Sequence, residues 1–190
     1  MKVNLDCLPC LVRQSLDAAR LFSDDPAVHD RVMRESFRHL AEASYERTPP
    51  AIAAGFHEQL RAILGVDDPY ADLKHQFNQL AMELYPELAE SVRSDPDPLS
   101  RAFHLAIAGN VVDFGVTGDI DESHLHAAIE QSAQEPIYGE PERFRDAVAE
   151  AERILYLADN TGEIVFDRLL IEQLPMDRVT VAVRGGPIIN

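Results

Sequence analysis

Lysine is nearly absent from this sequence: Lys2 and Lys74 stand alone in 190 residues, and arginine supplies the rest of the positive charge. Acidic side chains outnumber basic ones 33 to 17, for a formal charge of −16 and a pI near 4.7. That balance argues against a nucleic-acid backbone or an anionic membrane surface as partner. No stretch approaches the apolar length of a membrane span. The start Met1-Lys2-Val3-Asn4-Leu5-Asp6 carries no hydrophobic signal core, so a cytoplasmic location is expected. Cysteine is confined to Cys7-Leu8-Pro9-Cys10. With no second Cys pair a zinc site lacks two ligands, and the lack of a strand–helix context argues against a thioredoxin-like site. On a helix, positions 7 and 10 share a face, so inward packing as small apolar groups is expected, with a redox or metal switch as the alternative. There is no Walker loop, no Gly-x-Ser-x-Gly elbow and no Gly-x-Gly-x-x-Gly fingerprint, which removes the commonest nucleotide and serine-hydrolase motifs. His124 and His126 are two apart and would face different sides of a helix. The other histidines are scattered and form no site.

What is present is a globular chain, 46% hydrophobic, long enough for one domain or for a domain and a fragment. Residues 1–150 read as helical almost throughout. Proline falls early in helix after helix, where its missing N–H costs nothing. Asp25-Pro26 and Thr48-Pro49-Pro50 open helices, the second ending at Gly65. Asp68-Pro69 opens a third that runs toward Tyr85, where Pro86 is expected to break or kink it. Asp97-Pro98 opens a fourth leading into Ala108-Gly109-Asn110. Asp121 caps a short helix, and Gly139-Glu140-Pro141 precedes the last one. At Arg153 the character changes. Residues 151–190 read as strand, helix, strand, with the second strand over Arg178 to Val183, a parallel βαβ unit. The expected fold is therefore α+α/β: a helical N-terminal part followed by the start of a Rossmann-like parallel sheet. Two strands and one helix cannot cover both faces of a parallel sheet. The fold reads as incomplete, with further strands and helices, or a partner, needed to finish it.

The most informative residues lie where the first strand hands over to its helix, at Asp159-Asn160-Thr161-Gly162-Glu163. Ligands bind at this carboxyl edge of parallel sheets, and a helix start favours an anion such as phosphate. A carboxylate and an amide oxygen side by side are hard donors suited to Mg²⁺ or Mn²⁺. The same residues are also ordinary turn and capping chemistry. Gly109-Asn110-Val111-Val112-Asp113-Phe114-Gly115 puts Asn110 and Asp113 three apart, on one face if the helix persists; a plain helix end is the alternative. Lys74 and Asn78 share a face one turn apart, either as a phosphate contact or as a solvated surface. Arg184 ends the second strand close to where phosphate would sit, beside glycines that allow close backbone approach.

Together these motifs resemble the damage-control phosphatase family, in particular its prokaryotic branch with an N-terminal Cys-x-x-Cys. The matching stretches are Cys7-Leu8-Pro9-Cys10, Thr48-Pro49-Pro50, Asp68-Pro69-Tyr70 with Lys74 and Asn78, the 109–115 segment, Asp159 to Glu163 with Asp167, and Arg184-Gly185-Gly186-Pro187-Ile188-Ile189-Asn190. The resemblance implies a metal-dependent phosphatase of small phosphorylated metabolites, sugar phosphates among them, with a helical part and a Rossmann-like part. It implies a divalent metal (Mn²⁺, Co²⁺, Ni²⁺ or Mg²⁺) held by Asp159, Asn160 and a further aspartate that directly follows the 188–190 stretch, one residue past the end of this chain. In that reading Thr161, Gly162, Arg184 and Lys74 bind phosphate, Asn110 lines the pocket, and Asp113 is a candidate base. Asp159 as a nucleophile is a variant of the same idea, and Glu163 orients the metal shell or caps the helix. The alternative is a non-catalytic fragment, or a phosphate- or partner-binding module that lacks a complete metal site. Physiological substrate and oligomeric state are not legible.

Overall fold

Local chemistry at the helix ends explains most of the element boundaries. The computed structural model describes residues 2–111, 127, 129, 131, 139 and 141–185. They fall into two compact units, one built by the described residues up to Ala71 and the other by those from Asp72 onward. The first unit holds α1 (Cys7–Phe22), α2 (Pro26–Glu42) and α3 (Pro49–Leu64). Asp25 is extended and its carboxylate accepts the Ala27 N–H at 2.8 Å, with Pro26 as the first helical residue, an N-cap in which one orphan donor is satisfied. Gly65 ends α3 at φ 70°, its N–H returning to the Arg61 carbonyl, the left-handed cap that glycine alone adopts cheaply. Leu11, Leu40, Ile52 and Phe56 form one apolar cluster, and Ala18, Ala19, Val32 and Leu60 a second. Ser15 and Ser36 are buried among them, each hydroxyl donating to the carbonyl four residues earlier. His39 is likewise a satisfied interior group, bonded to the Ile52 carbonyl and edge-on to Phe56.

One expectation fails in the helical region. Cys7 is half-buried and Cys10 is exposed, and neither is in a disulfide, so the pair does not pack inward. Position 10 lies on the solvent side of α1, opposite Leu11 and Ser15. Of the break or kink expected at Pro86, a break does not occur: α4 runs unbroken over Ala71–Ser94. Pro86 is exposed, as is Met82, whose carbonyl loses its donor. Water can serve that carbonyl, while Ala81, Leu84, Leu88 and Val92 bury the opposite face and hold the helix together.

The second unit continues with α5 (Pro98–Val111), α6 (Pro141–Glu150), β1 (Ile154–Leu157), α7 (Glu163–Ile171), a 3₁₀ turn at Met176–Arg178 and β2 (Val179–Ala182). Arg145 of α6 ion-pairs with Asp97, the residue that leads into α5. The two strands are parallel, pairing Ile154 with Val179 and Leu157 with Ala182, and the Ala158 N–H extends the ladder to the Ala182 carbonyl. Helix α7 is buried nearly all round, as a crossover helix must be when it lies against both a sheet and another helix. Its Phe166 and Leu169 share a core with Leu105 and Ala108 of α5. Gly109 makes that approach possible: a Cβ there would lie 2.7 Å from the Phe166 Cβ. Strand alternation turns Tyr156 toward α7 and leaves Leu155 and Leu157 on the other face, 64% and 73% exposed. The sheet is covered on one side only among the described residues.

Candidate functional site

Asp159 stands two residues beyond β1, and the turn that carries it into α7 depends on Gly162. That residue sits at φ 82°, and a Cβ there would press against Phe77 at 3.3 Å, so glycine is required both for the angle and for the space. Its N–H donates to the Asn78 side-chain oxygen of α4 at 2.9 Å. Asn78 thereby satisfies one of the orphan donors at the start of α7. Lys74 is half-buried one turn earlier on the same face of α4, which brings its end of the helix to the same corner. Thr161 lies in the turn itself, half-buried.

Glu163, 6% exposed at the first position of α7, organises the side chains around the turn. Its Oε1 accepts from Asn110 Nδ2 at 2.8 Å and its Oε2 from Asn160 Nδ2 at 3.1 Å. Both asparagines thus spend their N–H₂ groups on one carboxylate. The Asp159 carboxylate is ion-paired with Arg184, which stands two residues beyond β2. The pairing is made through Oδ1, which has no other hydrogen-bond partner among the described residues. An oxygen that already faces a cationic group is one that a metal cation also fits. Asp159 and the carbonyl end of Asn160 are hard donors of the kind Mg²⁺ and Mn²⁺ take. Among the described residues no three His, Cys, Asp or Glu side chains converge tightly enough to enclose an ion, so these two donors fit a metal as part of a ligand set.

One turn below Glu163, Asp167 is 4% exposed and accepts the Tyr156 hydroxyl at 2.6 Å. Burial pushes its carboxyl up to about 6; the Tyr156 hydrogen bond opposes this, and the charges of Glu163 and Asp159 add to it. The Tyr156 hydroxyl is pushed upward in turn, by burial first and then by its bond to Asp167. The corner is therefore already rich in negative charge, which a cation would relieve.

Of the residues singled out from sequence, Asp159, Asn160, Gly162, Arg184 and Asn110 meet at this corner, with Asn110 brought in through Glu163. Asp113 lies outside the described residues, as do the Asp121 cap and the 186–190 end. Sequence reasoning gave Glu163 only a shell-orienting or capping part and gave Asp167 and Tyr156 none. The Asn-x-x-Glu spacing of a capping box and the four-residue step from Glu163 to Asp167 were the available signals.

A family model described as the damage-control phosphatase ARMT1-like domain matches residues 3–190. A damage-control phosphatase of Archaeoglobus fulgidus is 33% identical over 195 residues, covering 100% of this chain and 67% of that protein. One from Pyrococcus horikoshii is 31% identical over 195 residues, covering 100% of this chain and 66% of that protein. The crystal structure of a DUF89 family protein from Pyrococcus horikoshii superposes with a TM-score of 0.80 at 29% identity, over 100% of this chain and 67% of that one. The chain spans about two thirds of the length of these relatives.

Proposed function

Because the chain belongs to the damage-control phosphatase ARMT1-like domain family, we propose that it serves a metal-dependent phosphatase that hydrolyses small phosphorylated metabolites, sugar phosphates or related phosphomonoesters. The observation that carries this reading is the Asp159 carboxylate, held against the Arg184 guanidinium through Oδ1, next to Asn160 at a strand-to-helix turn. Asp159 and Asn160 hold the divalent cation. When bound, that cation supplies Lewis acidity, neutralising phosphate oxygens and making the attacking water more acidic. Arg184 is placed to exchange its pairing with Asp159 for a phosphate oxygen, since a guanidinium binds either group in the same fork geometry. The start of α7 at Thr161 and Gly162 adds a favourable dipole end for the phosphate, and Lys74 adds a second positive charge. Asp113 is the proposed general base. A small-metabolite substrate agrees with a net charge of −16, which disfavours polyanionic partners.

The second reading is a binding module without turnover. It is favoured by the Asp159–Arg184 ion pair, which neutralises the carboxylate without a metal. Hydrolysis of p-nitrophenyl phosphate by chelator-stripped protein, with and without Mn²⁺ or Co²⁺, separates the two. Turnover restored by metal and abolished in Asp159→Ala is the expected result. Turnover that survives Asp159→Ala would remove the assignment; neither turnover nor stoichiometric metal binding would favour the binding module, and stoichiometric metal binding would count against it.

A further inference from the structure

We infer that Glu163 is a positioning residue that fixes which end of the Asn110 and Asn160 side-chain amides is offered to a ligand at this corner. The inference rests on the proposed function only for the identity of that ligand, a divalent cation. A side-chain amide is nearly symmetrical in shape but opposite in chemistry at its two ends: the N–H₂ donates and the oxygen accepts. A half-exposed asparagine turns between the two at small cost unless a neighbour discriminates. Glu163 discriminates because a carboxylate accepts and does not donate. Its two oxygens are each taken by one amide, Asn110 at 2.8 Å and Asn160 at 3.1 Å, and the carboxylate itself is 6% exposed. Both amides are held N–H₂ inward. The end that each turns away from Glu163 is its carbonyl oxygen.

The consequence differs for the two asparagines. Asn160, adjacent to Asp159, presents a hard oxygen to a cation in place of an N–H₂ that would repel it. Asn110, on α5, presents an acceptor, which suits a substrate hydroxyl or a water on the cation and is unsuited to a phosphate oxygen. Glu163 thus sets the sense of recognition on one side of the corner, while Arg184, Lys74 and the start of α7 supply the phosphate-binding side.

Glu163→Gln tests this with almost no change in shape. Gln offers one acceptor and one donor, so one asparagine must turn over and point its N–H₂ outward. Two readouts are needed, one independent of metal. In metal-free protein at neutral pH, the Nδ2 proton resonances of Asn110 and Asn160 are expected to be exchange-protected, and at least one pair should lose protection in Glu163→Gln. Mn²⁺ titration should show affinity falling roughly 10–100-fold, the usual effect of removing a group that orients a ligand. Asn160→Asp in the Glu163→Gln background should restore affinity, because a carboxylate accepts from Gln and still offers oxygen to the cation. The same Asn160→Asp change alone should weaken binding, since it opposes two carboxylates. Unchanged Nδ2 resonances in Glu163→Gln would overturn the inference, as would an Asn160→Asp effect identical in both backgrounds. Wild-type protein that binds no Mn²⁺ would sink the metal reading instead, and the Nδ2 resonances would still decide the orientation.

Discussion

Replacing Asp167 with Asn should stabilise the metal-free protein at neutral pH and leave it unchanged in acid. Asp167 is 4% exposed, and its carboxyl ionises at about 6 in the folded protein against 3.8 for an ordinary aspartate. Burial is the first cause, and the charges of Glu163 and Asp159 add to it. The folded state therefore holds its proton to a higher pH than the unfolded chain does. Between about pH 4 and pH 6 the folded protein binds more protons, so stability falls as pH rises through that window and is flat above it. At about 1.4 kcal/mol for each tenfold change in the protonation equilibrium, the displacement corresponds to an upper figure of about 3 kcal/mol. Relaxation of the surroundings and water penetration around a buried charge reduce this to about 1–2 kcal/mol.

Asparagine keeps an oxygen for the Tyr156 hydroxyl, now 2.6 Å from Asp167 Oδ1, and removes the charge. The two proteins should then differ little at pH 4.5 and by about 1–2 kcal/mol at pH 7.5, with Asp167→Asn the more stable. Urea unfolding followed by far-UV circular dichroism, in chelator, reads this difference directly. A gap that is independent of pH would show that the carboxylate carries no burial penalty. A gap that widens on acidification would reverse the sign and refute the argument.

Two glycines carry separate predictions. Gly109→Ala places a Cβ 2.7 Å from the Phe166 Cβ and 2.8 Å from its Cγ; overpacking of about 1–3 kcal/mol outweighs a helix-propensity gain of up to about 1 kcal/mol. The urea midpoint should fall and the Asn110 Nδ2 protons should lose protection, and a midpoint at the wild-type value would show that α5 and α7 do not need the close approach. Gly162→Ala meets both a φ of 82° and the Phe77 side chain at 3.3 Å, a cost of about 1–3 kcal/mol. Mn²⁺ affinity should fall together with stability because the turn holds Asp159 and Asn160; loss of stability with full affinity would uncouple the turn from the site.

How much of this was legible follows from how far apart the interacting residues stand. Asp25 with Pro26, Gly65 after α3 and the handover at Asp159 are contiguous chemistry: a cap, a fixed φ, a change of period from helix to strand. Each is written in a few neighbouring residues and was read correctly. Whether Pro86 breaks its helix is not legible locally, because proline's cost depends on which face of α4 it occupies, and that is decided by what packs on the other face. Asn110 could be placed near the site only through a family pattern, since its partner Glu163 is 53 residues away. Asn78 reaches Gly162 across 84 residues, and nothing in the spacing of either residue announces it. Tyr156 is the instructive case. In the run Ile154-Leu155-Tyr156-Leu157 it reads as one more apolar strand residue, and that reading accounts for its ring. Its hydroxyl needs a partner once buried, and strand alternation sends it to the face opposite Leu155 and Leu157. A crossover helix from a parallel strand must pack on one face of the sheet. On that helix Asp167 is the acidic residue one turn beyond Glu163. A buried phenol on the helix side and an acid on the helix's sheet side require each other, because either alone would be an unsatisfied polar group in the core.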